Sequence, residues 1–440
     1  MVLSHKRTVE KMETIGNDTT LILPVSEMAE NLKGSEIIKL ADRIRKLKAE
    51  GHQIYNYTIG DFNPDIFPAP SVLVEEIIAA YQRGETNYPP ANGIAELRES
   101  VSRYLHTRGG LEYNPNQILI AGGSRPLIYA AYKTVLDPGD GVIFPVPSWN
   151  NNHYTHLNSG MPIPIETAAF DNFMPSAESI NNHISKASLV ALCSPLNPTG
   201  TMFTSKQLAE ICEIILTENR KRGEFRKPVY LLFDQVYWQL TFGNNVHIDP
   251  VSIYPEMKNY TIFIDGISKA FSSTGVRVGW AFGPAKIINK MKAVLGHIGA
   301  WAPKAEQIAT AVFLHNDKAV DEHIQHITHE IENRLNAFYK GFNILKNQGY
   351  PVNCIEPQGA MYLTVQINPT GKKTPEGIAL NSVEDIFSYL LNEAKIALVP
   401  FTAFGANKNS TWFRLSAGTC RTEEIPEFFN ALKKALDLLS

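Results

Sequence analysis

The 440-residue chain has no large excess of charge of either sign, because 41 lysines and arginines nearly balance 44 aspartates and glutamates, for a formal net charge of −3. This balance argues against a basic nucleic-acid-binding surface spread over the whole molecule. Glycine and proline, at 29 and 27 residues, are too few for a collagen-like or low-complexity chain. No apolar run approaches the roughly 18 residues of a membrane helix, and the polar N-terminal segment lacks the apolar stretch of a secretory signal.

Cysteine is also scarce, and the four cysteines are widely spaced without a CxxC pair: Cys193, Cys212, Cys354 and Cys420. This pattern is typical of a cytoplasmic protein with free thiols. Apolar residues make up 44% of the chain, which is enough for a sizeable core. We therefore expect a globular, enzyme-sized cytoplasmic protein that binds neither nucleic acid nor membrane.

Between residues 72 and 300 the sequence alternates helical patterns with short apolar runs. The candidate strands are 118–120, 142–144, 189–192, 229–233, 261–264 and 278–282. Continuous apolar strands are typical of an α/β sheet covered on both faces. From residue 304 the texture changes to amphipathic helices over 305–347 with a break near Asn316, strands at 361–366 and 412–415, and a helix over about 423–439.

This texture predicts a large α/β domain and a smaller α+β domain that is built from both chain ends. We expect an N-terminal arm at 1–30, a first part of the small domain at 31–70, the large domain at 71–303 and the rest of the small domain at 304–440. The segment 31–70 holds an amphipathic helix that Ser35 can cap and that ends at Gly51, followed by a β-like stretch at 53–59 and a proline-rich connection.

Ligands of α/β sheets bind beyond the carboxyl ends of the strands, so the residues that follow each candidate strand are informative. The first strand is followed by Gly122-Gly123-Ser124 and a helix, a turn that suits an anion such as phosphate. Four later strands are followed, respectively, by Trp149, by Asn197, by Asp234 with Tyr237, and by Lys269 with Arg277.

These residue types match the needs of pyridoxal phosphate (PLP). The cofactor requires a lysine for covalent attachment, a carboxylate against its pyridine nitrogen, and cations and glycines for its phosphate. The sequence resembles the fold-type I, class I/II PLP-dependent aminotransferases, the aspartate aminotransferase superfamily, from about residue 35 to the C-terminus. The segments that carry the resemblance are Ser194-Pro-Leu-Asn-Pro-Thr-Gly200, Asp234-Gln-Val-Tyr237, Ser268 to Gly279, Asn92-Gly93 with Leu97-Arg98, and Phe413-Arg414-Leu-Ser416.

The resemblance implies a central, mostly parallel seven-stranded sheet between helices in the large domain. It also implies that Lys269 attaches the cofactor and moves the proton between the substrate Cα and the cofactor's C4′. Asp234 would keep the pyridine nitrogen protonated, Tyr237 and Asn197 would donate to the ring oxygen, and Trp149 would stack on the ring.

For the phosphate, the resemblance implies Gly123, Ser124 and Arg277, with Ser268 as a weaker donor and Tyr88 from a partner subunit of a homodimer. One departure is Gly266, where many relatives have a serine that binds the phosphate.

For the substrate, the resemblance implies that Arg414 binds the α-carboxylate, helped by Asn197 and the backbone of Gly60, with Trp149 beside the substrate. The implied reaction is ping-pong transfer of an amino group from an L-amino acid to a 2-oxo acid, with aspartate and 2-oxoglutarate as the first expectation. The group that reads the substrate side chain stays open between His297, Lys304 and Arg125, and Trp301 would instead favour an aromatic or apolar side chain.

Two other functions remain as alternatives: a PLP-dependent β/γ-lyase, which shares almost all of these residues, and a non-enzymatic regulator of the same fold. His323, His326 and His329 do not predict a metal site. Steps of three advance about 300° around a helix, so the first and third side chains diverge. We expect these histidines, like the basic residues between Arg43 and Lys48, to lie on solvated helix faces.

Overall fold

The computed structural model describes residues 24–32, 34 and 36–440, and the chain divides between Lys33 and Gly34 into two compact units. In the first unit the described residues include a one-turn helix at Glu27–Glu30, where the Ser26 side chain accepts a hydrogen bond from the backbone of Ala29. The N-terminal arm expected at 1–30 stays a prediction, and its residues 1–23 lie outside the described ones. The proposed helix cap Ser35 lies outside the described residues.

The helices and strands of the described residues are numbered here in chain order. The helices are α1 Glu27–Glu30, α2 Glu36–Ala49, α3 Ser71–Gln82, α4 Ala95–Gly109, α5 Ser124–Val135, α6 Asn151–Leu157, α7 Ala177–Asn181, α8 Ser205–Arg222, α9 Pro250–Ile253, α10 Ile267–Ala270, α11 Ala285–Ile298, α12 Lys304–His315, α13 Asp317–Asn347, α14 Val383–Tyr389 and α15 Glu424–Asp437. The strands are β1 Tyr55–Asn56, β2 Ile118–Ala121, β3 Gly141–Val146, β4 Met161–Glu166, β5 Ala187–Cys193, β6 Tyr230–Asp234, β7 Thr261–Gly266, β8 Gly279–Phe282, β9 Val352–Cys354, β10 Tyr362–Ile367, β11 Ile396–Ala397, β12 Val399–Pro400 and β13 Trp412–Ser416.

The large sheet has seven strands in the order β2-β8-β7-β6-β5-β3-β4, and β8 alone runs antiparallel to its neighbours. Two hydrophobic clusters cover the large sheet, and successive residues of one strand pack into different clusters. Ile262 and Ile264 of β7 pack in one cluster, whereas Phe263 packs in the other. Because side chains alternate across a strand, a continuous apolar strand needs apolar cover on both faces. The predicted α/β architecture with a mostly parallel seven-stranded sheet is confirmed.

The edge strand β4 was not predicted from the sequence. Its residues include Pro162 and Pro164, and prolines at alternate positions argue against a strand because they cannot donate to the ladder. β4 pairs only with β3 in this sheet, and most of its side chains are exposed. Proline is tolerated on such an edge because the missing N–H groups have no neighbouring strand to bond.

Two smaller sheets lie outside the large one. β12-β13-β10-β9 form an antiparallel sheet, and β1, near the N-terminus, pairs in parallel with β11, near the C-terminus. This pairing joins the two chain ends, as expected for the smaller α+β part. The helix predicted over 305–347 is interrupted at Asn316, whose side chain caps α13. The domain limits at residues 70 and 303 stay a prediction, and α12 packs against α3 and α4.

Candidate active site

A cavity of about 530 Å³ lies at the carboxyl ends of β3, β5, β6 and β7, within the size range of small-molecule sites. Ten of the sequence-predicted site residues line it together: Gly60, Ser124, Trp149, Asn197, Asp234, Tyr237, Ser268, Lys269, Arg277 and Arg414. Gly123 precedes the lining residue Ser124 in the chain but is not itself part of the lining, and neither is Tyr88. These residues come together because the carboxyl ends of parallel strands lie on the same side of the sheet.

Lys269 occupies the short helix α10, directly after β7. Its Nζ donates a hydrogen bond of 2.7 Å to the carbonyl oxygen of Gly60. Burial lowers the pKa of Lys269 to about 8; the Asp61 carboxylate opposes this shift, and the positive charge of Arg414 reinforces it. A lysine with a lowered pKa provides the neutral amine that covalent attachment to an aldehyde requires.

Asp234 ends β6, and its Oδ1 accepts a hydrogen bond of 3.1 Å from the backbone N–H of Val236. Burial raises the pKa of Asp234 to about 6, while the backbone bond and Lys269 act in the opposite direction. None of the described side chains forms an ion pair with this carboxylate. A desolvated carboxylate that lines a cavity without a cationic partner suits a protonated ring nitrogen.

Arg414 is 2% exposed in the middle of β13. Its Nη1 donates to Asn197 Oδ1 at 3.0 Å and its Nη2 to the carbonyl oxygen of Thr58 at 2.7 Å. The guanidinium also lies over the Tyr362 ring, with its carbon 4.7 Å from the ring centroid. Burial lowers the pKa of Arg414, and because its Nε has no hydrogen-bond partner among the described residues, a carboxylate is the natural ligand of this fork.

Gly60 lacks a side chain where one would obstruct this fork. A Cβ at Gly60 would lie 3.0 Å from the Tyr362 hydroxyl and about 3.5 Å from the nearest Arg414 nitrogen. Glycine at this position therefore leaves a space between its backbone, the hydroxyl and the guanidinium that a small carboxylate can occupy.

Tyr237 and Tyr362 share a hydrogen bond of 2.7 Å between their hydroxyl oxygens. Both are buried, and burial raises the pKa of each phenol, so both stay protonated and available as donors. Tyr362, which begins β10, was not predicted as a site residue. Asp61 and Thr274 were missed as well: the Thr274 hydroxyl donates to Asp61 Oδ1 at 2.6 Å, and both residues line the cavity.

The turn predicted to bind an anion lies between β2 and α5; together with Arg277, its residues Gly122, Gly123 and Ser124 are called the anion cradle here. Gly123 has φ = 92°, and a Cβ there would collide with the Arg277 guanidinium. Arg277 donates to the carbonyl oxygens of Thr274 at 2.8 Å and Gly122 at 2.9 Å. Backbone N–H groups, Ser124 and this guanidinium together suit a phosphate.

The absence of a serine at position 266 has a steric reason. A Cβ at Gly266 would lie 2.9 Å from the Cα of Gly279 and 2.9 Å from the carbonyl oxygen of Val278. β7 and β8 approach too closely here for any side chain, so Gly266 cannot supply a hydroxyl to the phosphate.

The three groups considered for reading the substrate side chain lie in different places. Arg125 lines the cavity, and its guanidinium carbon is 5.3 Å from the centroid of the Trp149 ring. Lys304 pairs instead with Glu85 at 2.7 Å. His297 is exposed near the end of α11 and is not part of the cavity lining.

Tyr88 is 82% exposed and contacts Trp301, with 5.2 Å between ring centroids. The predicted role of Tyr88 in a neighbouring subunit's site is thus compatible with its position outside the cavity of its own chain. Trp301 is not part of the cavity lining either.

Among the described residues, no group of three or more histidine, cysteine or acidic side chains could hold a metal ion. His326 and His329 are exposed as predicted. The prediction is wrong for His323, which is half-buried beside Phe271, and burial lowers its pKa to about 4. Within the ranges that the structure describes, no helix is both long and apolar enough to cross a bilayer.

Residues 54–432 match the family described as aminotransferase class I and II. The chain belongs to this family. Its cofactor is therefore pyridoxal phosphate, as the sequence predicted, and the carboxylate, lysine, phenol and anion cradle described above fit that group. The observed α/β fold agrees with this assignment, and aminotransferase activity follows from it.

Curated relatives carry consistent names. The chain is 30% identical to an aspartate aminotransferase of Rhizobium meliloti strain 1021 over 92% of this chain and 94% of that protein. It is 29% identical to an aspartate aminotransferase of Bacillus subtilis strain 168 over 88% of this chain and 93% of that protein. The crystal structure of a Rhizobium meliloti aspartate aminotransferase superimposes with a TM-score of 0.86 at 28% identity, covering 95% of this chain and all of that one.

Proposed function

We propose that this aminotransferase moves the amino group of aspartate to a 2-oxo acid such as 2-oxoglutarate by a ping-pong mechanism. The single observation that supports this most is the convergence of one lysine, one unpaired carboxylate and three arginines on one cavity, since this set suits both a phosphorylated aldehyde and an anionic amino acid. The aspartate aminotransferases among its relatives support the same substrate.

The chemistry that bound pyridoxal phosphate supplies is an aldehyde that takes up the amino group and a ring that accepts the electrons left at the substrate Cα. We assign the Nζ of Lys269 to covalent attachment and, once released, to carrying the proton away from Cα. Asp234 holds the proton on the ring nitrogen. Tyr237 and Asn197 donate to the ring oxygen, and the lowered pKa of Lys269 supports its role as a base near neutral pH.

Arg414 binds the substrate α-carboxylate, with Asn197 and the backbone of Gly60 beside it. Trp149 packs against the bound ring and helps to fix the orientation of the Cα–H bond. The phosphate contacts come from Gly123, Ser124, Ser268 and Arg277. Residues 71–303 would form the cofactor-binding domain, with residues 31–70 and 304–440 as the small domain.

We also propose a homodimer in which Tyr88 completes the phosphate site of the neighbouring subunit. Exposed apolar side chains on two helices support this interface: Val74, Ile78 and Tyr81 on α3, and Val312 on α12. α3 and α12 pack against each other, so these side chains lie on two adjacent helices.

A panel of amino donors, read as the half-reaction that converts the bound cofactor to pyridoxamine phosphate, tests the proposed activity. Aspartate and glutamate should convert it stoichiometrically, and 2-oxoglutarate should restore it. A β/γ-lyase would instead release ammonia and a 2-oxo acid from one substrate without an acceptor. A mainly aromatic preference would contradict the assignment of aspartate.

Light scattering should give about twice the chain mass of 49.0 kDa. Mixing a Tyr88→Phe chain with a Lys269→Ala chain should produce hybrid dimers in which one site has both residues intact. Such hybrids should recover tight cofactor binding at that site. An active monomer, or hybrids that show no recovery, would contradict a shared site.

A further inference from the structure

Arg125 differs from the other cations of the cavity. Lys269, Arg277 and Arg414 each donate to a backbone carbonyl, which fixes their positions. No hydrogen bond or ion pair joins the guanidinium of Arg125 to a described residue. Its contact within the site is with the Trp149 ring, at 5.3 Å from the guanidinium carbon to the ring centroid. Arg125 is exposed and therefore presents a solvent-accessible positive charge, without a partner among the described residues, at the cavity lining.

The acidic side chains that line the cavity do not neutralise this charge. Asp61 accepts hydrogen bonds from the Thr274 hydroxyl and from the backbone N–H of Phe62, at 2.6 and 2.8 Å. Asp234 bonds to the backbone of its own turn. Neither carboxylate forms an ion pair with Arg125, so the charge is available to an external anion.

The proposed assignments already use two of the three arginines. Arg277 belongs to the anion cradle at the N-terminus of α5, and Arg414 is the buried fork that suits an α-carboxylate. A ligand set with only a phosphate and one carboxylate leaves Arg125 without a counterion. A substrate with a second carboxylate supplies a third anion for the third arginine.

The other candidate cations are committed elsewhere or lie outside the cavity. Lys304 pairs with Glu85 and also donates to Asn87 Oδ1 at 2.8 Å. His297 is exposed and does not line the cavity. Among the three cations considered from the sequence, Arg125 alone lines the substrate cavity.

We propose that Arg125 is a specificity-determining residue that binds the side-chain carboxylate of a dicarboxylic amino acid and of its 2-oxo acid, within the same chain that supplies Lys269. This inference rests on the proposed function. A guanidinium binds a carboxylate through two parallel N–H groups. The Arg125 guanidinium contacts the Trp149 ring at 5.3 Å, and its N–H groups have no hydrogen-bond partner among the described residues.

The test compares Arg125→Gln, which removes the charge, with Arg125→Lys, which keeps the charge without the fork. Arg226→Gln is the matched control, because Arg226 is exposed and lies before the amino end of β6, whereas Asp234 lies at the carboxyl end of that strand. The half-reaction is measured with aspartate and with alanine. Binding of succinate and of butyrate to the holoenzyme is measured by calorimetry, which does not depend on turnover. The dissociation constant of the cofactor is measured for every variant.

We expect Arg125→Gln to lower kcat/KM for aspartate by about 10- to 100-fold, as for loss of a charged hydrogen-bonded pair, and to change the value for alanine by less than about threefold. Succinate binding should weaken by a similar factor, whereas butyrate binding and cofactor affinity stay unchanged. Arg125→Lys should recover part of the aspartate rate, and Arg226→Gln should behave as the wild type.

Three results would overturn the inference. An Arg125→Gln enzyme that keeps the preference of the wild type for aspartate over alanine would refute it while leaving the proposed function standing. A loss confined to cofactor affinity would assign Arg125 to the phosphate instead. A wild-type enzyme without any preference for dicarboxylates would refute the proposed substrate class, and this inference with it.

Discussion

The Lys269 ammonium donates a 2.7 Å hydrogen bond to the carbonyl oxygen of Gly60, a residue 209 positions earlier in the chain. This bond ties the segment before α3 to the carboxyl end of β7. The Gly60 position also borders the Arg414 guanidinium. Attachment of the cofactor and binding of the substrate carboxylate therefore share one backbone segment.

The lowered pKa of Lys269 predicts its reactivity in the chain without cofactor. Because the pKa is about 8, the neutral amine should form as the pH rises through 8. We expect the rate of reductive methylation at Lys269, followed by peptide mapping, to increase about tenfold per pH unit below 8 and to level off above it. The exposed Lys290 provides an internal reference. A midpoint near the ordinary lysine value of about 10.4 would contradict the electrostatic description of the site.

The raised pKa of Asp234 predicts that its charged carboxylate lowers the stability of the cofactor-free chain, although cofactor binding needs that charge. Its folded-state pKa of about 6 exceeds the value of 3.8 for a free carboxyl, so ionisation destabilises the cofactor-free fold fully above pH 6 and not at all below about pH 4. We expect Asp234→Asn to raise the free energy of unfolding of the cofactor-free chain by about 1–3 kcal/mol at pH 8.

Urea unfolding at several pH values measures this effect. The difference between variant and wild type should shrink as the pH falls towards 4, and exposed Asp65→Asn serves as the control. The same Asp234→Asn variant should bind the cofactor more weakly. A variant that is less stable than the wild type at pH 8 would show that the carboxylate has a stabilising partner.

Arg414→Lys tests the assignment of the α-carboxylate. Lysine keeps the charge but loses the fork that contacts Asn197 and the Thr58 carbonyl. We expect KM for amino donors to rise by about 10- to 100-fold, because a bidentate charged contact is reduced to a single one. Saturation of the half-reaction measures this value. Cofactor affinity should stay unchanged, and an unaltered KM would require a different anchor.

Much of the site could be predicted because its residues follow strands in the sequence. Asp234 and Lys269 come directly after apolar runs, and parallel strands end at one sheet edge, so local patterns located side chains that are far apart in the chain. The helical cover on both faces of the large sheet was also predictable from local patterns. The apolar runs on its central strands were unbroken.

The missed features depend on contacts that local patterns do not encode. Tyr362 reaches Tyr237 from β10, which belongs to a different sheet, and their hydrogen bond spans 125 residues. Asp61 accepts its hydrogen bond from Thr274, which lies more than two hundred residues later. The strand β4 was hidden by prolines that only an edge position permits. His323 lies on the amphipathic helix α13, and its packing against Phe271 depends on a residue far away in the sequence.

Covalent attachment of the cofactor to Lys269 is tested most directly by borohydride reduction of the holoenzyme, followed by proteolysis and mass spectrometry. We expect a single pyridoxyl-phosphate adduct, on the peptide that contains Lys269, and no adduct in Lys269→Ala. A reduced adduct on another lysine, or a protein that stays colourless with pyridoxal phosphate and shows no adduct at position 269, would contradict it.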